Sequence, residues 1–304
     1  MFDLRYHVAS LAAVFIALAV GVLLGVAISG NLSETQKSLE RSRISQLSAA
    51  LNRERGRADI IERRGASAQE LLDDAYPLLL QDRLAGRSFA LVFVGPVQGD
   101  IRSDVERTLA DAGAGGPVRM VSLATPVSAG DVDDTLIADE DLAAYAENGD
   151  DFGELGQALA QELVNGGPTP LWTTLSSQLV AERAGTSDPS VDGAVVVRSW
   201  TRSEDADADP ADLRATTSLV QGLLSGLGQA GVPAVGVEAT SDDTSVEVFR
   251  EQGVSSVDDI DTAAGRIALA FLLAGGEPGH YGVKDGASDG VAPPLESLPA
   301  LAGD

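Results

Sequence analysis

The chain has 304 residues, with 46 Asp and Glu against 21 Lys and Arg, and its formal net charge is −25. Residues 1–30 are balanced and residues 31–64 carry a net +3, so residues 65–304 hold a net −28. An acidic surface repels phosphate backbones, and this composition argues against nucleic-acid binding. Cysteine is absent, which excludes disulfide frameworks, thiolate metal sites and thiol catalysis from this chain.

The N-terminus predicts a membrane anchor over residues 1–30. Residues Val8 to Ile28 form 21 consecutive uncharged positions, enough at ~1.5 Å per residue to cross a hydrocarbon core of ~30 Å. We therefore expect a transmembrane helix over 8–28, with membrane lipid as its partner. A cleaved signal sequence, with Ala27-Ile-Ser29 as the processing site, is the alternative, but a signal core has only ~7–15 apolar residues.

Small side chains recur at every fourth position of this segment and would form a ridge on one helix face. Such ridges let two membrane helices approach closely, which favours helix pairing in lipid. Small residues are also common in membrane helices without pairing. The predicted pairing seam consists of Ala9, Ala13, Ala17, Gly21, Gly25 and Ser29.

The orientation of the anchor is left open by its flanking charges. Residues 31–64 contain eight Lys and Arg against five Asp and Glu, which favours the cytoplasmic side. The leader before the apolar run is nearly neutral, with Arg5 balanced by Asp3. A charge rule alone therefore decides little.

Residues 31–76 predict a long helix that forms a parallel coiled coil, and hence a homodimer. Apolar side chains recur there with alternating spacings of three and four residues. Glu54 and Gly65 interrupt the pattern, so a single amphipathic helix packed on its own domain is the alternative. Tyr76-Pro77 predicts the end of the helix, because the residue before proline resists helical geometry. The predicted coiled-coil seam consists of Ile44, Leu47, Leu51, Ala58, Ile61, Ala68 and Leu72, with Ala75 as its last member.

Residues 86–275 predict an α/β domain with a Rossmann-like parallel sheet, because short apolar runs alternate with helical patterns. We expect a flexible tail over 276–304, which is rich in Gly, Pro and Asp. The segment 131–184 predicts helices over Phe152–Leu163 and Leu171–Ala181, and further helices are expected over 211–229 and 262–274. The predicted strands are 88–94, 118–123, 194–198, 234–238 and 254–257.

The domain contains no motif that predicts an enzyme or a required cofactor. The loop 95–99 follows a strand, but it matches neither a dinucleotide fingerprint nor a Walker loop. Acidic runs at 131–134, 204–209 and 241–243 match no calcium loop and are interpreted as solvated surface. His280 is a weak candidate metal ligand, with no nucleophile-elbow or HExxH sequence to accompany it.

Three segments carry a resemblance to a known family. The opening Leu4–Gly25, the stretch Gly253–Ala270 and the tetrapeptide Gly279-His-Tyr-Gly282 resemble the actinobacterial copper transporter family of MctB-type proteins. The family's Val-Asp-Asn corresponds to Val257-Asp258-Asp259 here. The resemblance implies an N-terminal anchor, a coiled coil, an extracytoplasmic α/β domain and a role in copper homeostasis or efflux.

Two hypotheses follow, and they demand different chemistry. In the first, the chain is a membrane-anchored envelope protein of copper homeostasis, acting within an oligomeric assembly that transports or senses copper. Cu(I) prefers sulfur ligands, yet the methionines are Met1 and Met120, and one spanning helix cannot form a pore alone. In the second, the chain is a non-transporting dimeric scaffold whose coiled coil presents the α/β domain to another envelope protein.

Overall fold

The computed structural model describes residues 4–115, 117–146, 151–186, 188–200 and 208–299, with the side chains of 4–9, 28–42 and 44 outside the description. The chain is a mixed α/β protein that divides into two compact units, Met1–Ala68 and Gln69–Asp304. The boundary falls inside helix α1, which spans Leu4–Leu80.

Helix α1 includes one segment, Ser10–Ala27, that is long and apolar enough to cross a membrane, and none of that segment is buried. The helix continues through Pro77 to Leu80, so the expected stop at Tyr76-Pro77 is wrong. Proline costs little here because only the last turn follows it and one backbone hydrogen bond is lost. Burial of Leu80, which is fully covered, favours the extra turn.

The second unit alternates strands and helices after α1. Its sheet is fully buried at β1 and almost fully at β4, as expected for strands covered on both faces. Two 3-10 turns lie at Ala143–Ala146 and Leu295–Ser297. The elements in chain order are β1 Phe89–Val94, α2 Gly99–Asp111, β2 Pro117–Leu123, α3 Ala129–Ile137, α4 Gly153–Asn165, α5 Pro170–Thr174, α6 Ser176–Leu179, β3 Val180–Gly185, β4 Gly193–Arg198, α7 Pro210–Gln229, β5 Ala234–Val237, α8 Val246–Glu251, β6 Ser255–Val257, α9 Ala263–Ala274 and β7 His280–Tyr281.

Within the described residues, seven strands form one sheet in the order β3-β2-β1-β4-β5-β6-β7. All neighbouring pairs are parallel except β2 and β3. Alternate residues of β1 enter two hydrophobic cores, one on each face of the sheet. Helices α4 and α7 cover one face, whereas α2, α9 and the end of α1 cover the other.

Strand β3 corrects the prediction of a helix over Leu171–Ala181 and of a wholly parallel sheet. The structure has two short helices there, and Val180–Gly185 then pairs antiparallel with β2. This edge strand is mostly exposed and includes Glu182 and Arg183, so it has no alternating apolar pattern that sequence reasoning could detect. Charged side chains on an edge strand also discourage pairing with other sheets.

Strand β7 lies in the segment predicted as a tail over 276–304. It pairs in parallel with β6 through Ser256 opposite His280 and Val257 opposite Tyr281. Tyr281 is almost fully buried. The sheet therefore extends beyond residue 275. Two residues suffice for β7 because Asp258, directly after β6, also binds the backbone that follows β7.

Candidate functional site

The membrane segment exposes its apolar side chains on all sides. Leu23 is 70% exposed, and a Cβ added at Gly21 or Gly25 would meet no atom within 4 Å. The predicted pairing seam therefore presents an open small-residue face over Ala13, Ala17, Gly21 and Gly25. The side chains of Ala9 and Ser29 lie outside the described residues.

The part of α1 that follows the candidate membrane segment also carries exposed apolar side chains. Leu47, Leu51 and Ile61 are 64%, 56% and 70% exposed, and Ala58 and Ala68 are exposed as well. The side chain of Ile44 lies outside the described residues. These side chains have the spacing of a coiled-coil seam.

Leu72 differs from the other members of the predicted seam. It packs against the hydrophobic core of its own α/β unit, together with Tyr76 and Leu79. The same 3-4 spacing that predicted a partner helix is satisfied here by the domain itself. The part of the seam that remains open to a partner therefore ends at Ala68.

The last turns of α1 belong firmly to the α/β unit. The Tyr76 hydroxyl donates to Asp111 Oδ2 at 3.0 Å, and the Arg266 guanidinium lies over the Tyr76 ring at 5.6 Å. Burial, together with Asp111, raises the pKa of Tyr76 to about 12. Arg83 stacks similarly on Phe271, 5.8 Å from the ring centroid.

His280, the candidate metal ligand, lies on β7, where its backbone N–H donates to Asp289 Oδ2 at 2.8 Å. Its Nδ1 is 2.9 Å from the Ser256 hydroxyl oxygen. Burial lowers the pKa of the imidazole, and the nearby Arg250 lowers it further. Across the described ranges, no group of three or more His, Cys, Asp or Glu side chains has an arrangement that could hold a metal ion. Met120 is buried in the core beneath the sheet.

Asp258 is the side chain that holds β7 in place. It is fully buried directly after β6, and its carboxylate accepts hydrogen bonds from the backbone N–H groups of Val283 at 2.8 Å and Lys284 at 3.0 Å. Gly282 has φ +140°, and an added Cβ would overlap the Asp258 carboxylate. Two of the three segments that carry the family resemblance, Gly253–Ala270 and Gly279-His-Tyr-Gly282, therefore meet here as one structural unit.

Two further acids and one lysine lie at the same edge of the sheet. Glu238 follows β5, and its Oε2 lies 3.2 Å from Lys284 Nζ, with both side chains mostly buried. Lys284 also donates to the Ala239 carbonyl at 2.6 Å. Burial raises the pKa of Glu238, while the Ser245 backbone N–H and Lys284 act in the opposite direction. A buried charge pair of this kind is tolerable because most of its hydrogen bonds are made.

Asp259 is less well satisfied than its neighbour. Its Oδ2 accepts from the Thr262 hydroxyl at 3.0 Å, but its buried Oδ1 has no hydrogen-bond partner. Burial raises the pKa of Asp259 to about 6, with Asp258 and Asp261 adding to the effect. Asn at this position, as in the family's Val-Asp-Asn, would carry no charge to bury.

The other polar features of the sequence are local. In 131–134, Asp131 lies in the first turn of α3, whose N-cap is Ser128. In 241–243, Asp242 Oδ2 accepts from the Ala239 backbone N–H at 3.0 Å. Most of the run 204–209 lies outside the described residues. Gly95, in the loop after β1, packs against Trp200, whose Cβ would be 3.0 Å from an added Cβ.

A family description, "Copper transport outer membrane protein, MctB", matches residues 1–292 of the chain. The chain belongs to the MctB family. Curated relatives named "Copper transporter MctB", from Mycobacterium bovis and Mycobacterium tuberculosis, are 28% identical to it over 328 aligned positions. The alignments cover 94% of this chain and 98% of each relative. The resemblance seen at the two ends of the sequence therefore extends along nearly all of it.

Sequence reasoning did not single out Glu238 or Lys284, and it named Asp258 and Asp259 only as part of the family resemblance. One signal was present: Glu238 ends one predicted strand and Asp258 directly follows another, and parallel strands place the residues at their carboxyl ends along one edge of the sheet. A second signal was that Lys284 is one of only two lysines in the chain. Neither signal says that these side chains are buried, because burial depends on the pairing of β6 with β7.

Replacing Asp258 with Asn should destabilise the α/β unit. The amide keeps one acceptor oxygen but turns an NH₂ group toward a backbone donor, at an expected cost of about 2–4 kcal/mol. Guanidinium unfolding followed by the fluorescence of Trp172 and Trp200, both buried in this unit, measures the loss. Exposed Asp243 supplies the control, since D243N should leave the unfolding free energy unchanged. Equal stability of D258N and the parent would contradict the role given to Asp258.

The Asp259 carboxyl should make stability depend on pH with a definite sign. Its pKa is about 6 folded against an ordinary 3.8, so between those values the folded state binds a proton that the unfolded state lacks. The free energy of unfolding therefore falls as pH rises through this window and stays low above it. Asn removes the penalty, so D259N should gain up to about 3 kcal/mol over the parent at pH 7.5 and little at pH 4.

The same Trp fluorescence measurement, made at both pH values, tests this prediction for Asp259. The D243N control should differ from the parent by the same small amount at each pH. A difference between D259N and the parent that does not change with pH would show that no buried charge is relieved.

Proposed function

We propose that this chain is a single-pass membrane protein of copper homeostasis that works as a parallel dimer, with its α/β domain outside the cytoplasm. The observation that carries the proposal is the open apolar seam of α1, which follows the membrane segment in the same helix. Family membership supports the link to copper, because the curated relatives are named copper transporters. The outward orientation follows the family resemblance, since the flanking charges leave it open.

The dimer follows from the cost of exposed apolar side chains. Residues 57–70 are exposed on every face of the helix, and isolated helices gain little stability from propensity alone. Burying a Leu or Ile side chain contributes about 1.5–3 kcal/mol, so covering Leu47, Leu51 and Ile61 with the same residues of a second copy stabilises both helices. The small-residue face in the membrane would continue the same pairing.

The α/β domain then acts as a rigid, Rossmann-like support rather than as a copper-binding module. Its one methionine and one histidine, Met120 and His280, are occupied by packing and by Ser256. Copper would be moved by a path that the assembled copies form, or by a protein that the assembly holds. This division of roles fits a chain without cysteine.

A cavity supports a second candidate function, the docking of another envelope protein. The cavity has a volume of about 320 Å³ and lies at the amino ends of β5 and β6, between the ends of α7 and α9. Its lining is rich in glycine and proline, including Gly231, Pro233, Gly253 and Pro278. Such a surface fits an extended peptide segment better than it fits a metal ion.

Cysteine crosslinking tests the dimer directly, because the chain has no native cysteine. In the full chain, I61C should form disulfide-linked dimers in high yield under mild oxidation, since symmetric seam positions face each other in a parallel pair. I60C is the matched control: the same residue type, one position away and off the seam, should link far less. Equal yields at both positions, or none at either, would contradict a parallel seam.

Copper binding provides the second test. Because carboxylates are poor ligands for Cu(I), the full chain should not compete for Cu(I) with a chelator of micromolar affinity, and H280A should behave like the parent. Copper content after dialysis against the chelator measures this. One tightly held Cu(I) per chain or per dimer would contradict the proposal, and its loss in H280A would place the ligand on β7.

A further inference from the structure

The open seam of α1 has one charged member, and that residue sets a condition on any partner helix. Glu54 lies between Leu51 and Ala58 in the 3-4 spacing, at the heptad position d. A carboxylate at d faces the partner helix and loses water, which costs free energy unless a cation accompanies it. Within its own helix Glu54 contacts Arg57 at 2.8 Å, but the two side chains are 68% and 72% exposed.

A cation is available immediately after Glu54. The residue that follows a d position lies at e, and in a parallel pair the e side chain of one helix flanks the d side chain of the other. Here that residue is Arg55, which is exposed and makes no ion pair within the described part of the chain. The next pair of flanking positions is also complementary, since Arg57 at g would meet Glu62 at e of a second copy.

We propose that Glu54 of each copy pairs with Arg55 of the other, and that this register pair fixes the two α1 helices parallel and in register. The proposal rests on the dimer proposed above and names what aligns it. A slide of one heptad brings Glu62 of one copy to the place of Arg55, so that it faces Glu54 and the two carboxylates repel. The in-register arrangement is the one that gives both copies an opposite charge at this layer.

Charge exchange between the two positions tests the register pair in the full chain carrying I61C. E54R alone and R55E alone each place like charges across the interface, and each should lower the yield of disulfide-linked dimer about five-fold. The double variant E54R/R55E restores opposite charges with the order reversed. Its yield should return to within about two-fold of the I61C parent.

The double variant separates contacts between helices from contacts within one helix. An arginine introduced at position 54 faces Arg57 of its own helix, and a glutamate introduced at position 55 faces Asp59. Both changes bring like charges together within one helix. If only contacts within one helix mattered, the double variant would therefore give the lowest yield of disulfide-linked dimer. Recovery of the yield in E54R/R55E therefore reports the pair between copies.

The other possible outcomes would contradict either the dimer or the register pair. No disulfide in I61C itself overturns the dimer, and with it the register pair. A high yield in I61C that neither single variant changes, or that the double variant fails to recover, overturns the register pair alone. E247R is the matched control, because it breaks the exposed Glu247–Arg250 pair at 2.7 Å, which has the same three-residue spacing, and it should leave the yield unchanged.

Discussion

Apolar side chains on a helix in water must be covered, and helix α1 leaves such side chains open from Leu47 to Ala68. The hydrophobic core of the α/β unit covers the seam from Leu72 onward. Lipid would cover the apolar side chains of Ser10–Ala27. The stretch from Leu47 to Ala68 is covered by neither the α/β unit nor lipid. A second copy of the same stretch offers the same spacing, the same side chains and, through Glu54 and Arg55, opposite charges at the one polar layer. In the dimer proposed above, helix α1 would thus have three different covers: lipid, a second copy and its own α/β unit.

The α/β unit shows a different use of charge. Asp258 and Glu238 are buried where β5 and β6 end, and together with the mostly buried side chain of Lys284 they hold the last strand and its following turn. Two of the segments that carry the family resemblance meet at this place. Asp258 needs two backbone donors there, and Gly282 must leave room for its carboxylate. These buried acids bind their own chain. Their carboxylate oxygens accept hydrogen bonds from backbone N–H groups and from Lys284.

Sequence reasoning located the elements whose signal is local and missed those that depend on pairing. The runs that became β1, β4 and β5 are mostly apolar, and α7 and α9 lie between clear helix signals, so their positions could be predicted within a few residues. Strand β3 is exposed and charged, and β7 has two residues; both exist because a neighbouring strand offers backbone partners. Local geometry at Pro77 predicted the helix end, whereas burial of Leu80 determines where the helix ends.

The candidate site divides in the same way. The seam is a periodic signal, but that Leu72 meets its own domain, and that Asp258 and Asp259 are buried, follows from tertiary contacts.

The mass of the assembly that full-length protein forms in lipid nanodiscs is the most direct measure of whether α1 pairs. A parallel pair predicts particles containing two chains of 31.3 kDa, stable on dilution, with the same count when copper is removed. A mass corresponding to a single 31.3 kDa chain at every concentration would contradict the dimer, and with it the role proposed for the seam.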